Sequence, residues 1–87
     1  NGGEFLELKD ETGNSIDSLD ATNGWPAGAN PSGNLTARAS MERVNPRKSG
    51  SDPTNWATND GMHRNGLDAV GNPINGTPGR PNSVTAL

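Results

Sequence analysis

At 87 residues, 28% of them hydrophobic and only three aromatic (Phe5, Trp25 and Trp56), the chain is one small domain with little to bury in a core. A net charge of −3 excludes a general nucleic-acid binder, which needs an excess of Lys and Arg. The absence of cysteine excludes disulfides and thiolate metal centres, and no apolar run is long enough to span a membrane.

The first element is written most clearly. Glu4-Phe5-Leu6-Glu7-Leu8-Lys9 alternates polar and apolar, and Ser15-Ile16-Asp17-Ser18-Leu19 resumes after Asp10-Glu11-Thr12-Gly13-Asn14. Turn residues between two such runs predict a β-hairpin over 4–19, with Gly13 free to take positive φ. The period of two predicts a buried face carrying Leu6 and Leu8, with Ile16 and Leu19 opposite them and Phe5 out of register.

Trp25-Pro26-Ala27-Gly28 opens a loop running to Gly33, because Pro26 and Pro31 lack the amide donors of a central strand. A strand is predicted over 35–44, with charge on both faces at Glu42 and Arg43. Residues 45–75 read as irregular loops, relieved by one helical turn at Asp52-Pro53-Thr54-Asn55-Trp56 with Asp52 as N-cap and Pro53 in the first position. Over 76–87, Gly76-Thr77-Pro78-Gly79 predicts a tight turn and Ser83-Val84-Thr85-Ala86-Leu87 a final strand or tail. The sequence shows no internal repeat.

Three stretches in order carry a resemblance: Ala39-Ser40-Met41-Glu42-Arg43-Val44, Asp52-Pro53-Thr54-Asn55-Trp56-Ala57 and Gly76-Thr77-Pro78-Gly79-Arg80-Pro81-Asn82. With the hairpin and Trp25 ahead of them, they resemble the C-terminal half of a lamin-tail domain of the microbial extracellular type. The resemblance implies an all-β chain: a partial or compact immunoglobulin-like β-sandwich with long irregular loops, its remaining strands lying outside 1–87. Trp25, Arg43, Trp56 and Pro78 are then structural anchors. Arg43 is expected to brace the 45–60 loop by an ion pair or by clamping backbone carbonyls.

Chemistry is sparse. His63 has no Ser or Asp arrangement that reads as a catalytic triad, so no enzymatic activity and no cofactor is expected. Asp10, Asn14, Asp52, Asp60 and Asp68 are hard-oxygen groups that raise calcium as an alternative, although turn chemistry also accounts for them. Asn34-Leu35-Thr36 and Asn75-Gly76-Thr77 are formal N-glycosylation acceptors. The resemblance implies a non-catalytic structural or adhesive module at the cell surface or outside the cell, a subunit of an assembly or filament whose sheet another chain or a missing segment completes, hence a homo- or hetero-oligomer. The alternative is an accessory targeting domain of a larger secreted hydrolase or nuclease.

Overall fold

The hairpin forms where the alternation places it. In a computed structural model that describes residues 2–30 and 38–86, strand β1 (Phe5–Lys9) pairs antiparallel with β2 (Ser15–Asp20). Asp10 closes the turn: its Oδ1 accepts the amides of Thr12 and Asn14, each at 2.9 Å, and its own amide donates to the Asn14 carbonyl at 2.9 Å. Gly13 sits at φ 89°, a conformation a Cβ would strain.

The register sets Leu6 opposite Leu19 and Leu8 opposite Asp17, then slips between Leu8 and Lys9 so that Ile16 falls in a bulge. The expected buried face is realised only at Leu19. Leu6 is 48% exposed, while Leu8 and Ile16 are each 61% exposed. The reason is the reach of the remaining chain. It meets the hairpin at Asp17, through Arg43 and Gly50, and leaves an open groove between Leu6 and Leu8 on one side and Arg43 and Trp56 on the other.

A second two-stranded sheet pairs β3 (Met41–Arg43) with β4 (Trp56–Thr58), Glu42 opposite Ala57 and Arg43 opposite Trp56. The strand expected over 35–44 is therefore shorter. Residues 35–37 lie outside the described residues, and Ala39 contributes isolated bridges to Ala29 and Asn75. The expected loop over 45–75 likewise contains more order. It holds β4, a 3-10 turn at Pro53–Asn55 and a bridge between Leu67 and Pro73. Asp52 caps the turn by accepting the Thr54 amide at 2.9 Å, with Pro53 in the first turn.

The Leu67–Pro73 excursion reuses the chemistry of the first hairpin. Asp68 Oδ1 accepts the amides of Val70 and Asn72 at 3.0 and 2.9 Å, its amide donates to the Asn72 carbonyl, and Gly71 takes φ 87°. Asp10-Glu-Thr-Gly13-Asn14 and Asp68-Ala-Val-Gly71-Asn72 are thus one turn used twice, a repeat too short and too variable between its fixed positions to stand out in the sequence.

The tight turn near the end is offset by one residue from its expected place. The Arg80 amide donates to the Thr77 carbonyl at 3.0 Å, with Pro78 and Gly79 (φ 74°) between them, the residue pair a type II turn requires. Residues 83–86 form no strand. They turn at Ser83 and Val84, and the Ala86 amide returns to the Val44 carbonyl at 2.9 Å.

The chain is thus all-β, mostly strands and turns with almost no helix. Among the described residues the buried apolar side chains are Leu19 and Ala21, whereas Glu42, Asn55 and Asn59 are buried and polar. The most enclosed positions therefore hold as many hydrogen-bonded polar groups as hydrocarbon.

Candidate functional site

Strand β3 turns Glu42 and Arg43 to opposite faces, and each side chain organises what lies on its side. Glu42 is 4% exposed and fully engaged. Its Oε1 accepts the amide and hydroxyl of Ser83 at 2.9 and 2.7 Å; its Oε2 accepts Asn59 Nδ2 and the Thr77 hydroxyl, both at 2.9 Å. Burial alone raises the Glu42 carboxyl, and is the largest single influence. The hydrogen bonds from Asn59, Ser83 and Thr77 together outweigh it and hold the group below the usual carboxylate range. A buried carboxylate thereby fastens the final segment to the second sheet.

Arg43 joins the two sheets. Its guanidinium pairs with Asp17 of β2 and donates to the Lys48 carbonyl, and it lies 5.9 Å from the centroid of the Trp56 ring. Its Nε is buried without a hydrogen-bond partner among the described residues. Arg43 first, then the Gly50 amide, hold Asp17 below the ordinary carboxylate range. Trp56 Nε1 donates to the Gly50 carbonyl at 2.8 Å, so Arg43 and Trp56 grip the same 48–50 bend. Between this pair and the hairpin runs an open, largely apolar groove of about 350 Å³, walled by Leu6, Leu8 and Leu19.

Asn55 supports the bend from within. It is 4% exposed; its Nδ2 donates to the carbonyls of Asn45, Lys48 and Ser49, while its Oδ1 accepts the Asn45 amide at 2.9 Å. Sequence reasoning singled out neither Glu42 nor Asn55 as organising residues. Their motif stretches were visible, but nothing local shows that a glutamate will meet Ser83 or that an asparagine will be enclosed.

The remaining expected residues are dispersed. Trp25 lies at the surface, 37% exposed, rather than within a core, because the chain beyond it turns away through Pro26. Pro78 is exposed, and its carbonyl accepts Asn65 Nδ2 at 2.8 Å. Asn34 lies outside the described residues. Asn75 is half-buried and its Nδ2 donates to the Arg38 carbonyl at 2.8 Å.

Asp10, Asp52, Asp60 and Asp68 each turn Oδ1 to amides of their own turns, Asn14 is part of the Asp10 turn, and among the described residues no three His, Cys, Asp or Glu side chains converge. The structure does bring an aspartate to His63, which sequence spacing did not reveal. Asp60 Oδ2 lies 2.6 Å from His63 Nδ1, and the His63 side chain, with the His63 and Met62 amides, lowers the Asp60 carboxyl to about 2. Ser83 lines the same cavity as His63 but gives its hydroxyl proton to Glu42, so the three do not form a nucleophile relay.

These observations define a small all-β chain whose strongest sites are polar braces. No protein-family model, curated protein or solved structure matches it. No described helix is long and apolar enough to cross a membrane.

Proposed function

We propose that this chain is a non-catalytic structural or adhesive module of an extracellular or surface assembly, a lamin-tail-like immunoglobulin-type sandwich whose second layer is supplied by strands outside residues 1–87. The observation that carries this reading is the uncovered hairpin: on the face that Leu6 and Leu8 share with the buried Leu19, Leu6 is 48% and Leu8 61% exposed. An apolar strand face of this kind is the inner surface of a sandwich when a second sheet lies over it. Leu6 and Leu8 are already partly buried, so covering what remains exposed would contribute about half of the ~1.5–3 kcal/mol of a whole side chain each, which helps association without sufficing for it.

Analytical ultracentrifugation of the protein, paired with denaturant unfolding, tests the reading. Concentration-dependent association that Leu6→Ser and Leu8→Ser together weaken by about tenfold or more supports it. A monomer that unfolds cooperatively at every concentration, with or without those substitutions, overturns it.

A further inference from the structure

The cavity beside the final turn is set apart by its charge. His63, Arg64 and Arg80 share an opening of about 360 Å³ with Thr77, Asn82 and Ser83, in a chain whose net charge is −3. Three separate turns hold the basic residues in place. Arg80 ends the Thr77–Arg80 turn; Arg64 precedes Asn65, whose amide bonds the Gly76 carbonyl and whose Nδ2 bonds the Pro78 carbonyl; His63 is anchored by Asp60. The side chains thus project from backbone that is already fixed, which lowers the ordering cost of gathering them around a ligand.

The negative groups nearby are already occupied. Asp60 accepts the His63 ring and the amides of Met62 and His63, and Glu42, behind the cavity wall, takes both the Ser83 and Thr77 hydroxyl protons. The wall hydroxyls therefore have no proton left to donate, and the guanidinium groups are the free donors. Among the described residues Arg80 has no side-chain hydrogen bond or ion pair, and Arg64 has one long contact, 3.3 Å to Asn75 Oδ1.

We propose that this cavity binds a tetrahedral oxyanion, a sulfate or phosphate group, held between the forks of Arg64 and Arg80. A guanidinium offers paired donors that match such oxygens, and a tetrahedral group presents oxygens in several directions, so that both forks can meet it from different sides. A neutral polyol would find too few unused donors.

The test is an amide and arginine side-chain NMR titration of the protein with inorganic phosphate, inorganic sulfate and, separately, a sulfated disaccharide. Saturating shifts confined to residues 63–64 and 77–83, weakened about tenfold by Arg64→Gln or Arg80→Gln and unchanged by Arg47→Gln, support the site. Equal saturation by the free ions and the disaccharide identifies the ion itself as the ligand, and tighter binding of the disaccharide identifies a sulfate carried on a saccharide. Neither guanidinium braces the fold, so unperturbed resonances elsewhere verify that the variants remain folded. Shifts that never saturate, that spread over all arginines, or that survive both substitutions overturn the proposal.

Discussion

Glu42 and Arg43 are neighbours with opposite modes of action. Arg43 holds its partners from a partly exposed position, where solvent screens the Asp17 pair and much of its value lies in geometry: a planar group spanning a strand, a bend and an indole. Glu42 is enclosed, so each donor aimed at it is needed once the carboxylate has left water. Glu42→Gln keeps the shape but replaces one carboxylate oxygen with an amide NH2, a donor facing donors. It should cost about 1–3 kcal/mol, read from thermal unfolding.

The pH dependence follows from the direction of the shift. The folded-state pKa of Glu42 is depressed, so its stabilising contribution is complete above the unfolded carboxylate value and disappears as pH falls through the lower folded value. Asp17 and Asp60 act in the same sense, Asp60 down to about 2. The melting temperature should therefore decline between about pH 4.5 and pH 2, and the decline should be shallower in Glu42→Gln. An unaltered slope in the variant would remove Glu42 from this role.

At the scale of elements, the two Asp-x-x-Gly-Asn turns and the Asp52-capped turn show how far local chemistry reaches. Each is closed by an aspartate oxygen on amides two to four residues ahead; the Asp10 and Asp52 turns were marked by their residue types in the sequence, whereas the Asp68 turn read only as loop. The 45–55 bend is different. Its carbonyls converge on one enclosed amide, Asn55, from six to ten residues away. Asn55→Ala should leave the carbonyls of Asn45 and Ser49 and the Asn45 amide without their Asn55 partner, while the Lys48 carbonyl keeps Arg43, and should cost about 1–3 kcal/mol. Hydrogen exchange should then accelerate at the amides of Asn45 and Gly50 while those within the Asp10 turn stay protected; uniform acceleration would mean the bend is not a separate unit.

The same distinction explains what the sequence disclosed. The hairpin and the capped turn depend on residues near one another in the chain, so alternation and turn chemistry revealed them. Burial of Leu6 and Leu8 depends on a layer that the described residues do not provide, and the periodicity that marks an apolar face carries no information about whether anything covers it. Glu42 was quoted within a motif and still not recognised as a hub, because its partners Asn59, Thr77 and Ser83 are spread over the following 41 residues. Arg64 and Arg80 were similarly separate until the Asn65–Pro78 bond brought their turns together.

For the molecule as a whole, closing distance sets an order of events. The Asp10 turn joins groups four residues apart, the Arg43–Asp17 link spans 26, and the Ser83–Glu42 link spans 41. Loop-closure entropy grows with span, and there is little hydrophobic collapse to shorten the search. The hairpin should therefore gain protection early in refolding and the tail late. Pulse-labelling exchange checks this: Leu19 should acquire protection before Ser83 and Ala86, and simultaneous protection would refute the sequence of steps. The tail, docked last onto a carboxylate already enclosed by Asn59 and Thr77, works as a latch. On unfolding it should be the first piece to let go, and its release admits water to the one charge the second sheet keeps inside.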